Sequence, residues 1–381
     1  MKIYHIFVVL SVVFLLAQCA LKQNKDSIYT TESVSLMNFK KLNISVPEGA
    51  YNSYMHLQVY KDSLLYGINP ASPYTIAVFN LKLQRFERNI PLESHLFKEK
   101  PGAFYVHQPD SIFITGTNYP TVQIVSGQGN IINKFNLRDL GLNKECVLPA
   151  LFHYTSPYYD PAHKQLFLTM LPLDWDQLGA NSRNFTQAVF DLSTKKMIAE
   201  FAPIQGTNRG VLPYDLNIPY RLVEGETIYI SYPTKEVIEI YDRNTFVKKS
   251  EKRLISDDDI ALIEPLSANK AQDEQELWNY RITVPFYEPI FYHSDSRCFS
   301  RIWHHPQELK PDGRTLNDGS DRVATLFIYD SNFNILKKQK FTNGLYGVRR
   351  AVPLSEGVLF APHEKYWISE DSLSLRFIFH L

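Results

Sequence analysis

Residues 225–250 read GETIYISYPTKEVIEIYDRNTFVKKS, and this stretch shows most clearly the pattern that indicates the fold. It contains three short runs rich in β-branched and aromatic residues, at 228–232, 237–241 and 246–249, which predict three consecutive strands. Between the second and third runs, residues 242–245 supply the Asp and Asn side chains that favour a tight turn. The stretch therefore predicts a three-stranded antiparallel meander.

The same pattern recurs along the rest of the chain. If the strands of one repeat are called a to d, the clearest b strands begin at residues 64, 112, 166, 228, 298 and 358. Each is preceded by a short turn and followed by a c strand, and neighbouring repeats are roughly 50 to 70 residues apart. Repeats of about this length are typical of β-propellers with long loops. We therefore predict an all-β protein with six blades.

The two ends of the chain carry complementary fragments of a repeat. The sixth repeat ends at Leu381 with strand c, and it has no strand d. Residues 37–46 (MNFKKLNISV) form an alternating strand that has no neighbour in sequence and has the composition of strand d. We predict that this strand completes the last blade and closes the ring, so that residues 36–381 form one propeller. A β-sandwich, the alternative, would not explain six copies with a matched leftover at each end.

The N-terminus has the features of a targeting segment. Lys2 and His5 precede an apolar run at 6–16, which is too short to span a bilayer and suits a signal-peptide core. The run ends in Leu-Ala-Gln-Cys at 16–19, which predicts a lipoprotein signal peptide (1–19) and lipidation of Cys19; a plain secretory signal is the alternative. Residues 20–35 are polar and without periodicity, and we interpret them as a flexible tether.

Charge and cysteine content restrict the partners. The 40 basic and 40 acidic residues cancel, which argues against a nucleic-acid partner, and we expect a monomer. Cys146 follows blade two and Cys298 begins strand b of blade five, so they lie on opposite sides of a six-fold ring. Since a disulfide needs Cα atoms within about 7 Å, we predict two free thiols.

Loop lengths differ between the two faces of the predicted propeller. The a–b and c–d connections are nearly all short, whereas the d–a and b–c connections carry the extra residues. One insert, at 257–278, has helical composition in two parts broken by Pro265. Because d–a and b–c loops leave a blade on the same face, we expect the binding site on that face, at the mouth of the central channel.

Aromatic, histidine or charged residues stand near the start of each a strand, where they are expected to line the channel mouth or to plug it. The candidates are Tyr54, His56, Tyr105, His107, His153, Tyr154, Tyr214, Asp215, Tyr287, Glu288, Arg349 and Arg350. Trp175 and Trp303 lie on long loops, where Trp175 is flanked by two Asp residues and could stack on a sugar ring. The adjacent His304 and His305 cannot point the same way on a strand, so we predict no metal site and no cofactor.

The lipobox-like ending at 16–19, the polar tether and the six repeats together resemble the TolB-like, six-bladed β-propeller lipoproteins of Gram-negative bacteria, a family of unknown function. The resemblance covers nearly the whole chain and rests on architecture. It implies an anchor in the outer membrane through Cys19, with the propeller facing the periplasm or the cell surface, and it implies a binding role. No catalytic residue follows from it.

Two functions stay open. The first is a binding or scaffold module of the cell envelope for a glycan, a small molecule or a partner protein. The alternative is a hydrolase, lactonase or lyase with a metal-assisted site at the channel mouth. The sequence contains no G-x-S-x-G, H-E-x-x-H, P-loop or G-x-G-x-x-G motif, although a propeller enzyme can assemble its site from scattered residues. Acidic and histidine ligands converging from three or more blades would favour the enzyme.

The lipid anchor gives a direct prediction. We expect Cys19→Ala to release the protein from the membrane into the soluble periplasmic fraction, because no thiol remains to be acylated, whereas Cys146→Ala leaves it on the membrane. Fractionation followed by immunoblotting measures the difference. Membrane association of the Cys19 variant equal to that of the parent would contradict the prediction.

Overall fold

The structure is a computed structural model, and it describes residues 40–47, 54, 56–69, 73–92, 101–116, 120–143, 145–148, 153–172, 185–203, 212–254, 263–308, 322–341, 346–362 and 372–379. In these ranges the strands form six four-stranded antiparallel sheets and one two-stranded sheet. The predicted six-bladed β-propeller is confirmed.

The first half of the chain contains the outer strand of blade 6, the strands of blades 1–3 and a separate two-stranded sheet. They are β1 (Lys40–Ser45), β2 (Leu57–Tyr60), β3 (Leu64–Ile68), β4 (Thr75–Asn80), β5 (Arg85–Pro91), β6 (Pro101–Gln108), β7 (Ser111–Gly116), β8 (Thr121–Val125), β9 (Ile131–Asn136), β10 (Cys146–Val147), β11 (Tyr158–Asp160), β12 (Gln165–Thr169), β13 (Leu171–Pro172), β14 (Phe185–Asp191) and β15 (Lys196–Pro203). Blade 1 is β2–β5, blade 2 is β6–β9, and blade 3 is β11, β12, β14 and β15; β10 pairs with β13.

The second half contains the strands of blades 4–6. They are β16 (Tyr220–Glu224), β17 (Thr227–Ser231), β18 (Val237–Asp242), β19 (Lys248–Arg253), β20 (Phe286–His293), β21 (Cys298–His304), β22 (Ala324–Tyr329), β23 (Ile335–Phe341), β24 (Tyr346–Leu354), β25 (Gly357–Pro362) and β26 (Ser372–Phe379). Blade 4 is β16–β19, blade 5 is β20–β23, and blade 6 is β24–β26 with β1 as its outer strand.

Helical segments occur only between blades in the part of the chain that the structure describes. They are a 3-10 turn at His153–Thr155 and the helices α1 (Tyr214–Asn217), α2 (Ala268–Ala271) and α3 (Glu274–Thr283). The insert was predicted to be helical in two parts broken by Pro265, but α2 and α3 both lie after Pro265, and α3 extends beyond the insert to Thr283. Asp273 caps α3, and its side chain accepts hydrogen bonds from two backbone N–H groups of the first turn. None of the helices described here is long and apolar enough to cross a lipid bilayer.

The N-terminal strand closes the ring, as predicted. β1 pairs antiparallel with β26 from Lys40 opposite Phe377 to Ser45 opposite Ser372. Its side chains alternate, so that Leu42 and Ile44 are buried in the core between blades 6 and 1 while the residues between them face solvent. The first and last described strands of the chain therefore belong to the same blade.

The c–d turn has the same construction in blades 1–5. A side-chain oxygen at the end of strand c accepts a hydrogen bond from a backbone N–H a few residues later, at Asn80, Ser126, Asp191, Asp242 and Asp330. One residue of each turn then has positive φ, and the register between strands c and d shifts at that end. The repeated Asp, Asn or Ser is thus the local signal that starts each fourth strand.

One predicted strand begins later than the sequence suggested. The d strand of blade 4 was expected at 246–249, but β19 runs from Lys248 to Arg253. Phe246 belongs to the preceding turn, with φ of 58°, and its ring lies 6.0 Å from that of Phe201 in blade 3. The apolar residue at 246 is therefore explained by packing between blades and not by a strand.

Turn lengths agree with the predicted difference between the two faces. The a–b turns contain two to four residues and the c–d turns four or five, whereas four of the five d–a connections contain nine to 32 residues. The exception joins β23 to β24 through four residues. The apolar core lies between neighbouring blades, where β-branched and aromatic side chains of facing sheets interlock. Cys146 and Cys298 are both buried and free, which confirms the predicted absence of a bond between them.

Closure by β1 makes a testable prediction about stability. We expect Ile44→Ala to lower the free energy of unfolding by about 3 kcal/mol, because it leaves a cavity in the core where the ring is closed. Lys41→Ala, at an exposed position of the same strand, is the matched control and should change it by less than about 0.5 kcal/mol. Urea unfolding followed by circular dichroism measures both; equal effects would show that β1 does not hold the ring.

Candidate functional site

A cavity of about 300 Å³ lies on the axis of the propeller. Its lining residues come from β2, β6, β16, β20 and β24 and from the segment 154–158 that leads into β11, so all six blades contribute their a strand. We call this space the channel cavity. Because each a strand is the innermost strand of its blade, the cavity is held by the rigid part of the fold and not by loops alone.

The walls of the channel cavity are mainly apolar. Aliphatic side chains of four blades line it, namely Leu57, Val59, Leu222, Val223, Ile290 and Val352. Pro157, Pro289 and Pro353 also line it. Proline is tolerated here because the inner edge of strand a has no neighbouring strand to receive a backbone hydrogen bond. Such a surface favours a ligand with an apolar body.

Tyr154 crosses the axis at one end of the channel cavity. It belongs to the 3-10 turn before blade 3, yet its hydroxyl donates a hydrogen bond to the carboxylate of Glu288 in blade 5. Its ring packs edge-to-face on Tyr220 in blade 4, with centroids 5.3 Å apart. Since Glu288 stands near the start of β20, this contact lies towards the face with the long loops.

Glu288 is fully buried, and its other carboxylate oxygen accepts a hydrogen bond of 2.7 Å from Nε2 of His304. A carboxylate away from water requires such partners, because its desolvation is otherwise strongly unfavourable. The backbone carbonyl of Glu288 accepts a further bond from Nε of Arg301. The Tyr154–Glu288–His304 contact is thus a buried link across the ring.

Arg301 fixes blade 5 to blade 4. Its guanidinium donates to the backbone carbonyls of Glu288, Lys235 and Tyr232 at 3.0, 3.0 and 2.7 Å, and it lies 4.2 Å from the centre of the Tyr287 ring. Burial lowers the pKa of Arg301 to about 10, which leaves it charged at neutral pH. It has no exposed surface, so its role is structural.

Arg221 is the cationic side chain of the channel cavity. It projects from β16 of blade 4 and donates hydrogen bonds to Oε1 of Gln187 and to the backbone carbonyl of Ser156, the latter at 2.9 Å. A longer bond of 3.4 Å reaches the carbonyl of Phe167. Burial lowers its pKa to about 10, so the guanidinium remains charged. Unlike Arg301, it is only partly buried.

Two phenols lie beside Arg221. Tyr105 of blade 2 and Tyr158 of blade 3 both line the channel cavity, and their ring centroids are 5.5 Å apart. Burial raises the pKa of each hydroxyl above its ordinary value, which keeps both neutral and able to donate hydrogen bonds at neutral pH. The cavity thus combines one cation and two neutral donors with apolar walls.

A second cavity, of about 480 Å³, lies between blades 4 and 5 on the face with the long loops. Tyr287 and Trp303 form its aromatic wall, and Lys235 and Arg253 contribute basic groups. Nε of Arg253 is already paired with Glu236 at 2.9 Å. This second cavity is peripheral and receives residues from two blades only.

The residues that the sequence predicted to line the channel mouth lie at several different places in the structure. Tyr105 and Tyr154 line the channel cavity, Glu288 contacts Tyr154 behind it, and Tyr287 and Trp303 line the second cavity. The side chains of His153, Tyr214 and Arg349 and the whole of Trp175 lie outside the described residues, as does Cys19.

The other candidates contact protein groups. Tyr54 is buried between blades 6 and 1, where a Cβ on Gly67 would come within 2.7 Å of its ring. His107 packs edge-to-face on Tyr159 at 5.1 Å, and Asp215 is paired with Arg281 at 3.3 Å. His56 is buried and Arg350 is partly buried.

Sequence reasoning missed Arg221 and Tyr158. It considered the first residues of each a strand, whereas the cavity is lined by residues further along those strands. The sequence did contain an indication of Arg221. β16 reads YRLVE, so an arginine stands in an inner strand directly before the stretch 225–250. A charge at such a position needs an explanation, since inner strands are packed on both faces.

Groups of three or more His, Cys, Asp or Glu side chains able to hold a metal ion do not occur among the described residues. Glu288 and His304 are bonded to each other.

No protein-family model and no curated protein matches the sequence. Solved structures with a similar fold exist. A member of the DUF4221 family from Bacteroides vulgatus superposes with a TM-score of 0.67 at 15% identity, over 90% of this chain and 97% of that chain. A Bacteroides fragilis protein assigned as exported gives a TM-score of 0.53 at 10% identity, over 92% and 96%. At such identities the likeness shows a shared propeller fold.

The link across the ring predicts the effect of one substitution. We expect Glu288→Ala to lower the free energy of unfolding by about 3 kcal/mol, because it leaves two buried side chains without their common acceptor. Glu276→Ala, on the exposed helix α3, removes only a surface pair of 3.3 Å with Lys270 and should cost less than about 0.5 kcal/mol. Urea unfolding of both variants tests this; a Glu288 variant as stable as the Glu276 variant would contradict it.

Proposed function

We propose that the protein is a lipid-anchored binding protein of the cell envelope and that its channel cavity takes a small organic molecule with an apolar body. The main support for a binding role is a cavity of about 300 Å³ that is lined by the inner strands of all six blades. Cavities of this volume with apolar walls and few polar groups are typical of small-molecule sites.

The shape of the site favours a small molecule over a glycan or a partner protein. The cavity lies inside the ring, where a protein surface does not reach, and aliphatic residues and proline form most of its wall. A glycan would need many hydrogen-bonding groups, whereas Gln58, a polar lining residue, is already bonded through both side-chain atoms to the backbone of Val106.

The envelope location is supported by two independent features. The N-terminal 19 residues have the signal-peptide pattern that ends in Leu-Ala-Gln-Cys. The similar propeller from Bacteroides fragilis is assigned as exported. A scaffold held at the outer membrane by Cys19, facing the periplasm or the cell surface, would present its channel to molecules that enter the envelope.

The binding role predicts saturable uptake of an apolar probe. We expect the wild-type protein to bind 1-aminoanthracene with one-to-one stoichiometry and a dissociation constant in the micromolar range, detected by the rise in its fluorescence. Val59→Phe combined with Val223→Phe should abolish this signal, since both residues line the channel cavity and the larger side chains reduce its volume.

Val247→Phe is the matched control, because Val247 is 62% exposed on a c–d turn far from the axis. It should bind the probe as the wild type does. Circular dichroism of the double variant confirms that it is folded. Absence of saturable binding to the wild type, or equal binding by the folded double variant, would overturn the proposed function.

A further inference from the structure

We propose that the channel cavity selects an organic anion, and that Arg221 binds the carboxylate, sulfonate or phosphate group of this ligand while its apolar body contacts the cavity wall. This inference rests on the proposed function and specifies the class of ligand.

The first argument is the charge balance around Arg221. Its described hydrogen-bond acceptors are the side-chain amide of Gln187 and the backbone carbonyls of Ser156 and Phe167, all of which are neutral. Within the described residues no carboxylate pairs with it. A guanidinium removed from water without a counter-ion loses hydration that neutral dipoles replace only in part. An anion in the adjacent cavity would restore the balance.

Two buried acidic side chains of blades 3 and 5 already have partners of their own. Asp160, in the same region of blade 3, is paired with Arg243 and hydrogen-bonded to His163 at 2.6 Å. Glu288 is bonded to Tyr154 and His304. Neither carboxylate can turn towards Arg221 without leaving its own partners unsatisfied.

Comparison with Arg301 separates a structural from a binding arginine. Both guanidinium groups donate to backbone carbonyls, and both join neighbouring blades. Arg301 has no exposed surface, and each of its three nitrogens has a protein acceptor. Arg221 is only partly buried as a residue and is one of the residues that line the channel cavity, so it borders space that a ligand can occupy.

The donor count allows a ligand contact. A guanidinium has five N–H groups, and the three hydrogen bonds of Arg221 within the described residues leave others for an anion. Those three bonds also fix the plane of the group, which reduces the entropy lost on binding. Charge-assisted bonds of this kind are about twice as strong as neutral ones.

The surroundings of Arg221 suit the rest of such a ligand. Tyr105 and Tyr158 also line the cavity with their rings 5.5 Å apart, and their hydroxyl groups, kept neutral by burial, are hydrogen-bond donors suited to an anion. Leu222 and Val223 follow Arg221 on β16 and belong to the apolar wall. The anionic group and the apolar body of one molecule can therefore be bound together.

The test compares isosteric probes of different charge. We expect wild-type protein to bind 2-naphthoate at least about tenfold more tightly than neutral 2-naphthamide in isothermal titration calorimetry, with the preference falling as salt is added. Arg221→Met should remove the preference, so that 2-naphthoate binds no more tightly than 2-naphthamide. Arg221→Lys should retain part of the preference, and Arg253→Met, in the second cavity, should retain all of it.

Parallel titrations with 2-naphthalenesulfonate and 2-naphthyl phosphate rank the three anionic groups. If Arg221→Met does not fold, the comparison of the two probes on the wild type still tests the anion inference. Tyr158→Phe gives a second test, since it should reduce the preference for 2-naphthoate over 2-naphthamide. Equal binding of 2-naphthoate and 2-naphthamide by the wild type would overturn the anion inference and leave the proposed function intact. Binding of neither probe, together with no uptake of 1-aminoanthracene, would overturn the proposed function itself.

Discussion

The backbone pairing of β1 with β26 is the constraint on which the rest of the structure depends. Without β1, the outer edge of β26 would have unpaired N–H and C=O groups, and blade 6 would not meet blade 1 through Leu42 and Ile44. Six blades around an axis keep their angles only when the ring is closed. The channel cavity, which takes its walls from all six inner strands, therefore depends on a strand some 330 residues away from its partner in sequence.

Local chemistry builds the blades that this closure assembles. An Asp, Asn or Ser at the end of strand c organises the c–d turn in blades 1–5, and the bulge that follows tilts strand d. Because these bonds form within five residues, each hairpin is specified before any contact between blades exists. Contacts between blades then use long side chains, such as that of Arg301, which donates to two carbonyls of blade 4.

Three charged side chains have two different roles. Glu288 and Arg322 stabilise the fold, whereas Arg221 lines a cavity. Glu288 links Tyr154 to His304 across the ring, and Arg322 donates to backbone carbonyls at the end of α3. Each has its partners inside the protein, as the unfavourable desolvation of a charge requires. The partners of Arg221 among the described residues are all neutral and the residue borders open space, which is the arrangement expected where a ligand supplies the opposite charge.

The sequence by itself determined the number of blades, the closing strand, the short turns and the two free thiols, because these depend on local pattern and on counting repeats. It also pointed to Tyr105 and Tyr154. It could not separate them from Tyr54, which the tertiary structure buries between two blades, or find Arg221. Which side chain reaches the axis depends on strand register, on bulges such as that between Tyr287 and Ile290, and on contacts between distant residues such as Tyr154 and Glu288. Only the assembled ring decides these, because a shift of one residue turns a side chain from one face of a strand to the other.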